Sequence, residues 1–111
     1  MPMYAPNPHA ERKAVMSVED IRSIVEPIAE RFGVDAVYLF GSVARGDYTE
    51  DSDYDFSINE GKLSDYYEML DFIDALAYSL GRDVEVVTRS DLGDKAFIDS
   101  MTKDEVLIYT A

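Results

Sequence analysis

Three aspartates alternate in the run DSDYD, Asp51, Asp53 and Asp55, inside the stretch GSVARGDYTEDSDYDFSI at 41–58. Along an extended strand, side chains at i and i+2 point the same way. Asp53 and Asp55 therefore share one face, and Tyr54 and Phe56 share the other. Two carboxylates held that close repel each other, and a fold gains nothing from the arrangement without a cation between them. Residues 83–88, DVEVVT, repeat the device, with Asp83 and Glu85 on one face and Val84 and Val86 on the opposite one. If the two strands are neighbours, three or four carboxylates converge. Such a set is a hard-oxygen site for Mg²⁺ or Mn²⁺.

The turn before the aspartates supplies the other half of the chemistry. A glycine leaving a buried strand lets the backbone approach a phosphate closely. The amides that follow can point at that anion from a helix N-terminus, and the Ser42 hydroxyl adds a donor. Gly41 and Ser42 would then hold phosphates while Asp53 and Asp55 hold the metals that bridge them. That is the arrangement of metal-assisted phosphoryl or nucleotidyl transfer. Arg45 has two available roles, a phosphate contact or an ion pair with Asp47 or Asp51 that holds the loop, and the second is the commoner one. Competing readings fail on spacing. An EF-hand loop needs Gly where Phe56 stands and Glu where Lys62 stands. Gly41 and Gly46 have the outer spacing of a P-loop, but Asp47-Tyr48 replaces Lys-Ser/Thr. The bland alternative is a surface strand with scattered solvated acids. The Gly-Ser turn before it and the matching acids of a later strand weigh against that.

The flanking patterns give the elements that must position these residues. Ser17 opens a helix with an acid at N3, and Ile21, Ile24, Val25, Ile28 and Phe32 recur at helical spacing up to Gly33. Pro27 inside that pattern predicts a kink or a break near Glu26. VDAVYLF at 34–40 reads as a buried strand, with Tyr38 and Phe40 as core candidates. Residues 42–45 form at most one helical turn, and 53–58 a second strand. A helix over 64–80 is capped by Ser64, carries a stripe of Tyr66, Leu70, Ile73, Leu76 or Ala77, and Leu80, and ends at Gly81. Tyr67, Phe72 and Tyr78 fall off that stripe, as a second packing surface or a partner patch. A third strand spans 83–88. Residues 96–101 read as helical, and 106–109 as a last helical turn or a strand. Tyr48 offers a ring to an adenine but more commonly packs, and Lys95 is a solvent-facing cation that could reach a phosphate. The first 16 residues open with three prolines in eight positions and read as an extended, partly flexible extension, with the domain over 17–111.

Composition narrows the classes. The chain has 111 residues, which suits one small domain. It carries 23 acidic and 10 basic residues, a net charge of −13, which disfavours nucleic-acid binding and suits cations or a basic partner. There is no Cys, and His9 is the sole His, so thiolate and imidazole nucleophiles, bases and zinc sites lack their residues. No apolar run reaches a membrane span and no signal-peptide pattern is evident. A cytoplasmic protein is expected.

With these residues in view, GSVARGDYTEDSDYDFSI resembles the signature of the nucleotidyltransferases of the DNA polymerase β superfamily: Gly-Ser, a spacer of about ten residues, then Asp-x-Asp. Ala44-Arg45-Gly46 and Ser52 before Asp53 point to the minimal nucleotidyltransferases, the MNT group. The resemblance extends through VYLFGS, the helix ending Leu80-Gly81, VEVVT and the C-terminal DEVLIY. It implies an α/β (α+β) domain, a small mixed sheet flanked by helices. It implies Asp53 and Asp55 as catalytic metal ligands and maps the family's third carboxylate to Glu85. That position is usually Asp, and Asp83 is a possible substitute. Gly41, Ser42 and Arg45 stand on the nucleotide side.

Proteins of this group are commonly antitoxins paired with a HEPN-domain ribonuclease toxin. The implied reaction moves AMP from ATP to a tyrosine hydroxyl of the toxin, with Mg²⁺ or Mn²⁺ as cofactor. Two other functions compete. One is an antitoxin that neutralises by binding alone, which the Glu at 85 leaves open. The other is a small-molecule or RNA nucleotidyltransferase, which usually carries an added helical domain.

Overall fold

The computed structural model describes residues 13–89, 99 and 102–111. His9, Lys95 and nearly all of the helix expected over 96–101 lie outside them.

Helix α1, Val18–Phe32, starts where Ser17 accepts a hydrogen bond from the Asp20 amide at 3.2 Å. It ends where Gly33 takes a left-handed conformation. Its apolar face, Ile21, Val25, Ile28 and Ala29, is buried. Of the kink or break expected near Glu26, the break does not occur: the helix is continuous through Pro27. Proline forfeits one backbone hydrogen bond, and burial of Ile28 and Ala29 just beyond it holds the chain helical.

The chain then forms β1 (Ala36–Phe40), a short α2 (Gly41–Arg45) and β2 (Tyr54–Asn59). After these come α3 (Tyr66–Leu80), β3 (Val84–Thr88) and β4 (Val106–Thr110). The four strands make one mixed sheet in the order β3-β2-β1-β4. β1 is antiparallel to both β2 and β4, while β2 and β3 are parallel, joined through α3. A parallel pair needs such a crossover, and the helix covers the face it crosses. The segment left open between helical turn and strand at 106–109 is thus strand β4.

Both long helices lie on one side of the sheet. Val37 and Leu39 of β1, and Tyr54, Phe56 and Ile58 of β2, are fully buried with Phe72, Leu76 and Leu80 of α3. Strand alternation turns Tyr38 and Phe40 to the other face, where they are half-buried, so the expectation of core positions is corrected. The stripe of α3 is also rotated from the one expected. Phe72 is fully buried and meets Phe32 edge-on at 5.5 Å, whereas Tyr66 is 70% exposed. The helix is capped by Asp65, whose side chain accepts from the Tyr67 amide at 2.8 Å, one position beyond the expected Ser64. Starting there places Tyr66 and Tyr67 in the exposed first turn.

Polar clamps tie the layers together. Arg22 of α1 donates to the Leu107 carbonyl of β4 at 2.9 and 3.3 Å. Arg89 pairs with Glu105 at 2.8 Å, donates to Ser57 Oγ at 3.0 Å and lies over the Tyr38 ring at 4.1 Å. The face of the sheet turned away from the helices carries Asp55 and Ser57 from β2 and Glu85 and Val87 from β3.

Candidate active site

Sheet register brings the acids together. Asp55 stands opposite Phe40 of β1 on one side and opposite Glu85 of β3 on the other. Glu85, not Asp83, is therefore the β3 acid beside Asp55. Asp83 precedes the strand, and its carbonyl accepts the Tyr54 amide at 3.1 Å. Asp53 also lies one residue outside its strand, which begins at Tyr54.

Gly41 begins α2 immediately after β1, with φ of +77°. A Cβ on that residue would stand 3.1 Å from Asp55 Cγ and closer still to Oδ2. The turn is thus pressed against the carboxylate, and only glycine combines that backbone angle with that proximity. Ser42 follows, its hydroxyl donating to Ser52 Oγ at 3.2 Å. Arg45 makes the expected ion pair with Asp47, Nε to Oδ2 at 3.1 Å, both side chains largely exposed.

The loop between α2 and β2 is held from within. The Thr49 amide donates to Ser52 Oγ at 2.8 Å, the Ser52 amide to the Thr49 carbonyl at 3.1 Å, and the Asp51 amide to Thr49 Oγ1 at 3.3 Å. It is also held from outside by Arg82, which donates from Nη1 to the carbonyls of Glu50 at 3.0 Å and Ser52 at 2.7 Å. Sequence reasoning gave neither Ser52 nor Arg82 a structural part. The usable signal was an arginine between a helix-ending glycine and an acid-bearing strand. Tyr48, at the loop's start, is 46% exposed.

The electrostatics follow from the crowding. Burial, then Glu85 and Asp53, push the Asp55 carboxyl up from 3.8 to about 6, with Arg45 opposing. Glu85, paired with Asp55 across β2 and β3, adds its charge to that rise. Among the described residues no three acidic or imidazole side chains stand in metal-holding geometry. Asp53, Asp55 and Glu85 are nonetheless carboxylate donors of the type a hard divalent cation takes, and their mutual repulsion adds to burial in raising Asp55.

The sequence model of the polymerase beta nucleotidyltransferase family matches residues 22–111, and the chain belongs to that family. The protein adenylyltransferase MntA of Thermococcus cleftensis is 32% identical over 83 residues, 71% of this chain and 84% of its own length. A chain of a toxin–antitoxin crystal structure with AMP-PNP superposes with a TM-score of 0.67 at 17% identity, covering 81% of this chain and 73% of that one. A chain from the complex of a tri-AMPylated Shewanella oneidensis HEPN toxin with its MNT antitoxin gives 0.63 at 14% identity, covering 86% and 74%. At such identities these two likenesses establish the fold.

Proposed function

We propose that this nucleotidyltransferase is the antitoxin of a HEPN/MNT pair and transfers AMP from ATP to a tyrosine hydroxyl of a HEPN-domain ribonuclease toxin. The observation that carries the reading is the placement of Gly41-Ser42 against Asp55, with Glu85 on the adjacent strand. The activity named for MntA and the AMPylated toxin in the Shewanella complex support the acceptor class. The AMP-PNP complex supports ATP as donor. A net charge of −13 suits a partner that must itself bind RNA.

In this reading Gly41 and Ser42 hold the triphosphate, and Arg45 flanks it. Asp53, Asp55 and Glu85 would hold Mg²⁺ or Mn²⁺. The bound cation would neutralise charge on the attacking and leaving oxygens. The chain's own residues set the geometry. The pleat sets Asp55 and Glu85 on the same face, Glu85 is exposed to an incoming tyrosine, and it accepts a hydrogen bond from the tyrosine hydroxyl. Glu85 takes the hydroxyl proton as the tyrosine oxygen bonds to the α-phosphorus, the bond from that phosphorus to the α–β bridging oxygen breaks, and pyrophosphate leaves. Both proteins share the cytoplasm with ATP.

The test is incubation with Mg²⁺, α-labelled ATP and the protein encoded beside this one, with Asp53→Asn as control. Label on the partner that vanishes in the variant supports the reading. A tight complex without label would favour neutralisation by binding alone. The pairing of Glu85 with Asp55 weighs against that alternative, because it sets the third carboxylate on the strand beside the first two.

A further inference from the structure

Arg82 is a charged residue with only 7% of its surface exposed, and it gathers three backbone carbonyls from two distant segments. Its Nε donates to the Lys13 carbonyl at 2.8 Å, while Nη1 donates to Glu50 at 3.0 Å and Ser52 at 2.7 Å. Burying a guanidinium is unfavourable unless its donors are satisfied, so the site is specific for the fork. The residue sits immediately before Asp83 and β3, the strand that carries Glu85. The carbonyl it grips most closely belongs to Ser52, the residue before Asp53. The hydroxyl of that serine in turn accepts from Ser42.

The contacts form a chain: β3, Arg82, Ser52, then Ser42 on one branch and Asp53 on the other. Gly81, beside Arg82, accepts the Lys13 amide at 3.1 Å, so the segment preceding α1 closes the outer side of the brace. We propose that Arg82 is a positioning residue for AMP transfer. It holds the Asp53 loop and the Gly41-Ser42 turn in register with the Glu85 strand. This rests on the function proposed above. Lysine at this position keeps the charge but cannot reach both segments with a planar fork.

The test compares the full chain with Arg82→Lys by three measurements. Both proteins should fold and bind the partner. The variant's kcat for AMP transfer should fall roughly 10- to 100-fold, as expected for misplaced reacting groups, with the KM for ATP changed less than about threefold. Amide hydrogen exchange at Thr49 and Ser52 should quicken. A lowered melting temperature with an unchanged kcat per folded molecule would reduce Arg82 to a structural role and overturn the assignment, as would failure of Arg82→Lys to fold. Should the parent itself transfer no AMP, the fault lies with the proposed reaction, and Mn²⁺ titration by calorimetry decides. Weaker Mn²⁺ binding together with faster loop exchange supports the brace, and unchanged values for both overturn it.

Discussion

Gly41 and Asp55 are in such close approach that no side chain fits between them. A methyl group on residue 41 would meet the Asp55 carboxyl, and the backbone there holds φ at +77°. Two penalties therefore coincide in Gly41→Ala. The left-handed angle alone costs about 1–3 kcal/mol for a non-glycine residue. Relieving the contact must displace the Asp55 carboxyl or the turn itself. We expect a lower melting temperature and at least a ~100-fold loss of AMP transfer. Retention of near-parental transfer would separate the turn from the reaction.

Asp55→Asn should change how stability depends on pH. The folded carboxyl titrates near 6, above its ordinary 3.8. Between those values the folded chain holds a proton that the unfolded chain has released, so stability falls as pH rises through the window. At pH 7 the whole penalty is present. The amide removes it, and in chelator the variant should be more stable than the parent by on the order of 1 kcal/mol at pH 7, after allowing for solvent screening. At pH 4 the difference should nearly vanish. Urea melts at several pH values read this directly, and parallel curves for the two proteins would refute it. Mg²⁺ should raise the parental melting temperature at pH 7 and leave that of Asp55→Asn nearly unmoved.

Much of this was legible before the structure, for identifiable reasons. The caps at Ser17, Gly33 and Gly81 are local backbone chemistry, readable from residue type. The alternation at 53–58 set Tyr54 and Phe56 on the face opposite the acids, and both are fully buried. What stayed hidden was non-local. The face of β1 that meets the helices depends on register with its neighbours, and in VDAVYLF an apolar residue stands at nearly every position. Phe72 looked peripheral on α3 because the stripe was counted from Tyr66, whereas packing against Phe32 sets the buried face. Which of Asp83 and Glu85 stands beside Asp55 needed the pairing of β2 with β3. Arg82 carries no periodic signal, since its partners are backbone carbonyls 30 or more positions away.

Register also separates Glu85 from Asp83 by experiment. Glu85 is paired with Asp55, whereas Asp83 lies before the strand. Glu85→Gln should lower transfer about 100-fold or more, the range for losing a group that handles the reacting hydroxyl. Asp83→Asn should stay within about threefold of the parent, because its bond to Tyr54 is made by the main chain. The readout is label transferred per minute at saturating ATP. A reversed order would move the third carboxylate to Asp83.

Tyr54→Phe should loosen the strap ahead of α1 without touching the reaction. The Tyr54 hydroxyl accepts the Met16 amide at 3.0 Å. The ring is fully buried and stacks on Phe56 at 6.1 Å, a contact that phenylalanine retains. Losing one such hydrogen bond costs about 1 kcal/mol, a fall of about 4–8 °C in melting temperature for a domain of this size. Exchange at the Met16 amide should quicken while Ser52 stays protected, because Arg82 still grips the Asp53 loop. Transfer assayed well below the midpoint should remain within about twofold of the parent. A large loss of transfer with a normal melting temperature would mean that the strap, and not only the Arg82 brace, sets the position of Asp53.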